Sequence, residues 1–372
     1  MLKKVYLCAA LTRSNQRFNR YSIGNMIYDS ILTPQETEHA IKFIKDTFQL
    51  HLSNALHLRR VTAPLFVKSD IGLNDNLSGI EKPVSFTMEH YGINCEIVHS
   101  LAKWKRMKLY ETNEQPNYGI YTDMNAIRKD EILDNIHSIY VDQWDWEKVI
   151  DDEQRNIDFL YHTIDLIYHA LLDTEYAVCE RYPKLKPFLP PTFKFITAEE
   201  LVRLYPHLTP KEREKEICKK WGVVFICGIG GMLSNGTKHD HRAPDYDDWS
   251  TPVQVMSDEL GERVYNYGLN GDLLVWYEPL DIPIELSSMG IRVNEVSLRT
   301  QLEISNCENY TQYTYHQMVL HNQLPQTIGG GIGQSRLCMI LLHKKHIGEV
   351  QSSIWDNDTL NTCKNNQIHI LQ

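Results

Sequence analysis

The chain has 372 residues, of which 42% are hydrophobic, and its formal net charge is −10. This apolar fraction is sufficient for a large core and excludes a wholly disordered chain. The acidic balance argues against nucleic acid as a partner, because phosphate backbones bind to basic surfaces. The longest apolar run, Trp221 to Leu233, is shorter than the roughly 20 residues that span a bilayer, so no membrane partner is expected.

The cysteines and the N-terminal segment bear on cellular location. The eight cysteines are scattered and form no C-x-x-C pair, so we expect neither disulfides nor a zinc knuckle, and a reducing, cytoplasmic compartment. Residues 1–32 contain basic residues but no acid before Asp29. This composition is typical of an organelle transit peptide and equally of a loosely packed extension. We therefore divide the chain into an extension, 1–32, and a single domain, 33–372.

The first regular element predicted is a helix that begins after Thr33. Thr33 can cap this helix, Pro34 suits its first turn, and Glu36 completes a capping box. A strand is expected from Arg60 to Val67, and Pro64 within it indicates an edge or an interrupted ladder.

Later segments show further strand and helix patterns. Strands are predicted at 137–146, 223–229, 273–277 and 284–293. Helices are predicted from 147 to 181, after Thr197, after Thr209 and after Gly333. Because strands and helices come in blocks instead of alternating, we expect an α+β fold with an antiparallel sheet flanked by helices.

The clearest chemical motif is the glycine-rich segment from Gln326 to Arg336. Glycines let the backbone approach a ligand, and a helix that begins there presents free N–H groups to phosphate. It lacks the Gly-Lys-Ser/Thr of a Walker loop. Written as G-x-G-x-G-x-x-R over Gly329, Gly331, Gly333 and Arg336, it resembles motif 3 of class II aminoacyl-tRNA synthetases.

Two weaker patterns agree with this resemblance. Arg128-Lys-Asp-Glu131 is similar to the R-x-x-E of motif 2, whose arginine binds the α-phosphate. Leu58 to Phe66, with Pro64, is similar to motif 1, the helix–strand segment that forms the dimer.

Additional blocks narrow the resemblance to one family. Together with the glycine motif they resemble ammonia-dependent asparagine synthetase (aspartate–ammonia ligase), in matching order from about Thr33 to Trp355. The blocks are Asp75–Gly79, His99–Arg106, Tyr140–Trp146, Arg242–Trp249, Gly271–Asp272 and Glu285–Arg292.

The resemblance implies a fold like the class II synthetase catalytic core, acting as a homodimer. It implies that ATP activates the side-chain carboxylate of L-aspartate. The implied intermediate is β-aspartyl-AMP, formed with loss of pyrophosphate, and ammonia then displaces AMP to give L-asparagine. The chemistry is reasonable because a carboxylate accepts ammonia only once its oxygen has become part of a good leaving group, and adenylation needs cations that offset charge repulsion.

The resemblance also assigns roles to individual residues. The implied catalytic residues are Asp75, Arg128 and Gln143. The implied aspartate contacts are Lys103, Lys105, Asp145, Asp247, Ser288 and Arg292. The implied ATP contacts are His99, Arg128, Glu131, Asp272, Glu285, Gly331, Gly333 and Arg336. Of these, Asp272 and Glu285 are the expected ligands of Mg²⁺, which takes one or two carboxylates together with nucleotide oxygens.

Strand periodicity places several of these candidates. In the strand that begins near residue 137, Gln143 and Asp145 lie on one face. Lys103 and Lys105 alternate in the same way, so we expect them on a shared strand face, and which of them contacts substrate stays open. The alternatives are solvated charges for the lysines and a plain polar turn at Asp75.

The strand 284–293 presents a geometric conflict. A regular strand puts Ser288 and Arg292 on one face and Glu285 on the other. If all three belong to one site, the strand must bulge near Ser287–Gly290.

Two other functions compete with the ligase. A tRNA-charging synthetase uses the same activation step, and a regulatory paralogue keeps the fold but normally loses the motif arginines, whereas Arg128 and Arg336 are present. Free ammonia is expected as the nitrogen donor instead of glutamine. Leu2 occupies the place of an N-terminal nucleophilic cysteine, and Cys227 has the pattern of a buried strand end.

Overall fold

The computed structural model describes residues 28–75 and 81–371. Its helices are α1 (Pro34–Leu56), α2 (Ala102–Glu111), α3 (Ile157–Arg181), α4 (Ala198–Leu204), α5 (Pro210–Trp221), α6 (Glu295–Ile304), α7 (Thr314–Leu320), α8 (Gln334–Leu341) and α9 (Asn357–Asn365). Its strands are β1 (Leu58–Arg60), β2 (Phe66–Lys68), β3 (Ser85–Met88), β4 (Ile93–Ile97), β5 (Gly119–Ile127), β6 (Tyr140–Val149), β7 (Lys194–Thr197), β8 (Val223–Cys227), β9 (Pro252–Met256), β10 (Arg263–Tyr267), β11 (Asn270–Tyr277), β12 (Ile282–Ile291) and β13 (Thr327–Gly333).

The centre of the fold is an eight-stranded sheet with the order β1-β5-β6-β13-β12-β11-β8-β7. The pairs from β5 to β8 in this order are antiparallel, whereas β1 pairs with β5 and β7 with β8 in parallel. The expected α+β fold with a flanked antiparallel sheet is therefore confirmed, with a parallel strand added at each edge. Two smaller sheets, β10-β9 and β2-β4-β3, lie outside it.

The predicted helix starts are confirmed by their capping. Thr33 accepts a hydrogen bond from the Glu36 backbone N–H, and the Glu36 side chain accepts one from the Thr33 N–H. The same reciprocal capping box occurs at Thr197 and at Thr209. Each box satisfies N–H groups that a helix start leaves without intrahelical partners.

Three predicted elements are wrong in extent or type. The strand expected over 60–67 is divided between β1 and β2, which belong to different sheets, with residues 61–65 as the connection. Strand β6 continues to Val149, so the following helix begins at Ile157 and not at Glu147. The segment around Lys103 and Lys105 is helix α2 and not a strand, so these side chains leave the helix in different directions.

The bulge expected in the strand before residue 293 is confirmed, one residue earlier than predicted. Leu273 of β11 pairs with Ser287, but the next residue, Leu274, pairs with Glu285. Leu286 is thus the extra residue of a β-bulge. The bulge brings Glu285 to the same side of the sheet as Ser288, which an unbroken strand would not do.

The two faces of β6 differ in character. Trp144 and Trp146 are fully buried in the main hydrophobic cluster, where helices α1, α3 and α8 cover the sheet. Phe48 of α1 packs with its ring centroid 4.8 Å from that of Trp144. Alternating residues of β6, among them Gln143 and Asp145, point to the opposite face, where a cavity opens.

The described chain packs onto this body from its first residue. Tyr28 is buried against Cys363 and Ile368. The ammonium of Lys344 donates to Ser30 Oγ at 2.6 Å. Leu32 is 1% exposed. Residues 28–32, on the N-terminal side of the predicted boundary, thus pack against residues of the domain. Most of the predicted extension, residues 1–27, lies outside the described residues.

Within the part of the chain that the structure describes, no helix combines the length and apolar character required to cross a bilayer.

These contacts predict that residues 28–31 stabilise the domain. A chain that begins at Leu32 should melt roughly 4–8 °C lower than one that begins at Tyr28, because a buried aromatic side chain and one partner of a buried ammonium are lost. Calorimetry measures the difference. Asp29→Ala, at an exposed position of the same segment, is the control and should leave the melting temperature unchanged. Equal melting temperatures for the two truncated chains would contradict the prediction.

Candidate active site

A cavity of about 510 Å³, here called the main cavity, opens on the face of the sheet opposite α1 and α3. It brings together most of the residues singled out in the sequence: Asp75, His99, Lys105, Arg128, Glu131, Gln143, Asp145, Asp247, Glu285, Ser288, Arg292 and Gly331. A side cavity of about 180 Å³ adjoins it, shares Arg128, Gln143 and Glu285, and adds Gly333 and Arg336.

The glycine motif forms strand β13, which was not predicted, and the start of α8, which was predicted after Gly333. Gly331 pairs with Asp145 and Gly333 with Gln143 on the neighbouring strand β6. A Cβ at Gly331 would lie 2.5 Å from the Gln143 side-chain oxygen. A Cβ at Gly329 would collide with the carboxylate of Glu147. These glycines are therefore required because their missing side chains leave room for the polar groups of β6.

Gln143, Asp145 and Glu147 follow one another on the cavity face of β6. Glu147 is 0% exposed and Arg292 is 2% exposed. The Arg292 guanidinium donates to both Glu147 oxygens, from Nε at 2.9 Å and from Nη2 at 2.7 Å. Thr327 Oγ donates to the same carboxylate at 2.7 Å. Burial alone would raise the pKa of Glu147, but the Arg292 charge and these hydrogen bonds hold it below its usual value.

The other side of Arg292 contacts a second carboxylate. Its Nη1 donates to Asp247, and the guanidinium lies 5.8 Å from the ring centroid of Tyr246. Burial raises the pKa of Asp247, although the Arg292 charge opposes this effect. Arg292 thus lies between two carboxylates, which fix its otherwise flexible side chain in one orientation at the wall of the cavity.

Lys105 is buried beside this pair and is saturated by acceptors. Its ammonium donates to Asp145 at 2.8 Å, to the Trp146 carbonyl at 3.0 Å and to the Gly330 carbonyl at 3.1 Å. All three N–H donors are therefore used within the protein. Burial lowers the pKa of Lys105. By these contacts Lys105 positions Asp145 and strand β13. We call Lys105, Asp145, Glu147, Asp247 and Arg292 the ion-pair end of the cavity.

Three arginines surround Glu285 at the other end, here called the arginine end. Arg336, on the first turn of α8, donates to the Glu285 backbone carbonyl at 2.8 Å. Arg128 follows the end of β5, and its buried Nε has no hydrogen-bond partner among the described residues. Burial would raise the pKa of Glu285, but Arg336, Arg242 and Arg128 hold it below its usual value. This concentration of positive charge suits a polyphosphate.

Asp272 does not line the main cavity, in contrast to its predicted role in nucleotide binding. Its carboxylate accepts from Arg242 Nη2, and Arg242 in turn reaches Ser288 Oγ at 3.1 Å. Burial and the neighbouring Glu285 raise the pKa of Asp272 to about 6, against the opposing charge of Arg242. Among the side chains that the structure describes, no three His, Cys, Asp or Glu residues group as a metal site.

Asp75 and His99 meet at the wall of the main cavity. The Asp75 backbone carbonyl lies 3.1 Å from His99 Nδ1, and both residues are 2% exposed. Burial, together with the charge of Arg128, lowers the pKa of His99, so its imidazole is neutral around pH 7. Asp75 is therefore a buried residue at the wall of the cavity.

Lys103 was predicted to contact the substrate, but the structure places it elsewhere. It is a helix residue, it does not line the main cavity, and its ammonium pairs with Asp245 at 2.8 Å. Its placement follows from the helical geometry of α2, which sends Lys103 and Lys105 to different partners.

Three site residues were missed in the sequence. Glu147 continues the period of Gln143 and Asp145, and its role is visible once the strand is extended past Trp146. Arg242 and Tyr246 lie within a block that was noted, but nothing local distinguishes them from their neighbours.

Comparison with known proteins agrees with this geometry. The aspartate–ammonia ligase family model matches residues 35–367. A curated aspartate–ammonia ligase of Clostridium perfringens is 54% identical over 345 residues, covering 92% of this chain and 97% of the relative. A curated aspartate–ammonia ligase of Bacteroides thetaiotaomicron is 53% identical over 353 residues, covering 94% of this chain and 99% of the relative.

Solved structures show the same architecture. Asparaginyl-tRNA synthetase of Pyrococcus horikoshii, complexed with asparaginyl-adenylate, superposes with a TM-score of 0.59 at 12% identity, covering 85% of this chain and 68% of the synthetase. The likeness confirms the expected class II synthetase fold. By sequence over nearly its whole length, the chain belongs to the aspartate–ammonia ligase family.

Proposed function

We propose that this protein forms L-asparagine from L-aspartate, ATP and ammonia through β-aspartyl-AMP, releasing AMP and pyrophosphate. The observation that carries the proposal is the division of one cavity into two ends. The ion-pair end suits a small zwitterion, and the arginine end suits a triphosphate. The names of the relatives support the substrates.

At the ion-pair end the protein can recognise both charged groups of an amino acid. The fixed guanidinium of Arg292 suits a carboxylate, and the carboxylates of Asp145 and Asp247 suit an ammonium. Gln143 lies between the two ends, with its side-chain oxygen next to Gly331. We assign Gln143 to orienting the side-chain carboxylate that reacts.

At the arginine end the cations lower the barrier to adenylation. The aspartate oxygen must approach the α-phosphate, and both carry negative charge. Arg128 and Arg336 offset this repulsion and stabilise the charge that develops as pyrophosphate leaves. Glu131 and His99 complete the nucleotide wall in this assignment. Planar guanidinium groups also fix the direction of the phosphate by bidentate contacts.

Magnesium fits this arrangement through its donor chemistry. Burial and, to a smaller extent, the charge of Glu285 raise the pKa of Asp272, so the two carboxylates lie close enough to interact. They would supply two ligands, with nucleotide oxygens as others. When bound, the ion would offset charge on the triphosphate. Arg242 contacts Asp272 in this structure, so Arg242 and the ion would share the Asp272 carboxylate.

The quaternary structure and location are further parts of the proposal. We infer a homodimer from the motif 1-like segment Leu58–Phe66, which leaves Leu65 and Phe66 exposed at 50% and 43%. We infer a cytoplasmic location because the cysteines are scattered and the relatives come from bacteria.

The function predicts a distinct set of products. With ATP, aspartate and ammonium, the protein should form asparagine, AMP and pyrophosphate in equal amounts, whereas activation by a simple phosphoryl transfer would give ADP. Purified glutamine as the only nitrogen source should give no turnover, because Leu2 occupies the place of an N-terminal nucleophilic cysteine and the Cys227 thiol is fully buried. Addition of tRNA should change nothing. ADP formation, efficient use of glutamine, or aminoacylated tRNA would each contradict the proposal.

The arginine end is tested by Arg336→Lys. Lysine keeps the charge but cannot reproduce a planar two-pronged contact, so aspartate-dependent ATP–pyrophosphate exchange should fall by roughly 10²–10³. Arg299→Lys, at an exposed ion pair with Glu295 on α6, is the matched control and should retain exchange. Normal exchange in Arg336→Lys, with an unchanged melting temperature, would remove Arg336 from the site.

A further inference from the structure

A second large cavity, of about 450 Å³, adjoins the main cavity. Tyr310 and Tyr313 are among its lining residues, and we call it the tyrosine cavity. It shares Asp75, His241 and Arg242 with the main cavity, so the two spaces meet at the Asp75 wall.

We propose that the tyrosine cavity is the entry and binding site of ammonium, the second substrate, which it delivers to Asp75. This inference rests on the proposed function and adds to it a separate route for the nitrogen. The sequence assigned no role in the attack by ammonia to any residue that lines the tyrosine cavity but not the main cavity.

The need for a separate route follows from the volumes. A cavity of about 510 Å³ is of the size that one nucleotide-sized ligand and its co-substrate fill. In the proposed function the aspartyl-adenylate would occupy much of this space. Exclusion of water from the occupied cavity would protect an acyl-adenylate from hydrolysis. The Asp75 wall, which a second cavity reaches, would then give the nucleophile a path to the acyl carbon that does not pass the adenylate.

The chemistry of the walls suits a small cation. The carboxylates of Asp75 and Glu96 line the cavity, and the rings of Tyr310 and Tyr313 have centroids 6.2 Å apart. Aromatic faces and carboxylates both attract ammonium. The cavity of about 450 Å³ is large enough for a cation with a single heavy atom.

Two of the three lysine and arginine side chains that line the cavity are paired with carboxylates. Lys103 pairs with Asp245 at 2.8 Å, and Arg242 pairs with Asp272, which lies outside this cavity. The third, Lys238, has its ammonium 5.1 Å from the centroid of the Trp249 ring. These pairs cancel much of the repulsion that an entering cation would otherwise meet. The observation also explains why Lys103, predicted as a substrate contact, is buried away from the main cavity.

One buried group in this cavity has an unused acceptor. His316 is 0% exposed, and its Nε2 lies 2.9 Å from the Asp245 carboxylate. Because a carboxylate accepts, Nε2 is the protonated nitrogen and Nδ1 is the acceptor. Nδ1 has no hydrogen-bond partner among the described residues. Because Nδ1 is itself buried, an ammonium N–H would reach this acceptor only after the surrounding side chains shift.

Ser69, half-buried in the lining of the tyrosine cavity, allows a direct test. We expect Ser69→Trp to narrow the cavity and raise KM for ammonium by about fivefold or more, while aspartate-dependent pyrophosphate exchange stays within about twofold of the wild type. Exchange requires no ammonium, so it reports folding and the first half-reaction separately. Ser69→Ala removes the same hydroxyl without filling the cavity and should behave as wild type.

A second test avoids a large substitution. Cys307 is a free, half-buried thiol in the lining, and a bulky methanethiosulfonate reagent should raise KM for ammonium in the folded wild type. The same treatment of Cys307→Ala should have no effect. An unchanged KM for ammonium in both blocked forms, with exchange intact, would overturn the entry route. Loss of exchange in the untreated wild type would instead overturn the proposed function.

Discussion

Arg292 is buried between Glu147 and Asp247, and the surrounding site is built to accommodate this pair of contacts. A buried guanidinium is stable only when its charge and its N–H groups are matched. Glu147 supplies a bidentate partner from the middle of β6. The room for that carboxylate comes from Gly329 on the next strand, where any side chain would collide with it. The glycine motif therefore serves the ion pair beneath it as well as the ligand above.

The same principle organises the whole cavity. Strand β6 contributes acids, α2 contributes Lys105, and the segment after β12 contributes Arg292, so charges from distant parts of the chain neutralise one another at the ion-pair end. At the arginine end three arginines lie around the single carboxylate of Glu285 and hold its pKa below its usual value. In the proposed function this arrangement orients a substrate pair whose reacting groups are both negative. The bulge at Leu286 connects the two ends by bringing Glu285 and Ser288 to one side.

Local physics explains what the sequence could predict. Capping boxes depend on residues three positions apart, so the helix start at Thr33 was predictable, and the bulge in β12 followed from the incompatible faces of Glu285 and Ser288. Helix α2 was mistaken for a strand because alternating Lys103 and Lys105 imitate period two. The partner of Arg292 is 145 residues away, and such a pairing is set only by the tertiary fold. Most of the candidate site residues were selected by family resemblance and not by local pattern, and the structure brings most of them to one cavity.

In the proposed function Glu147 positions Arg292 for aspartate, and pyrophosphate exchange by Glu147→Gln at varied aspartate and ATP tests this role. We expect KM for aspartate to rise on the order of 10²-fold while KM for ATP changes little, because one partner of a buried charge pair is lost at the ion-pair end only. Glu147→Asp, which keeps the charge, should restore part of the affinity. Glu175→Gln, at another buried glutamate in α3, should leave both constants unchanged. An unchanged KM for aspartate in a folded Glu147→Gln protein, or an equal rise for both substrates, would contradict the account.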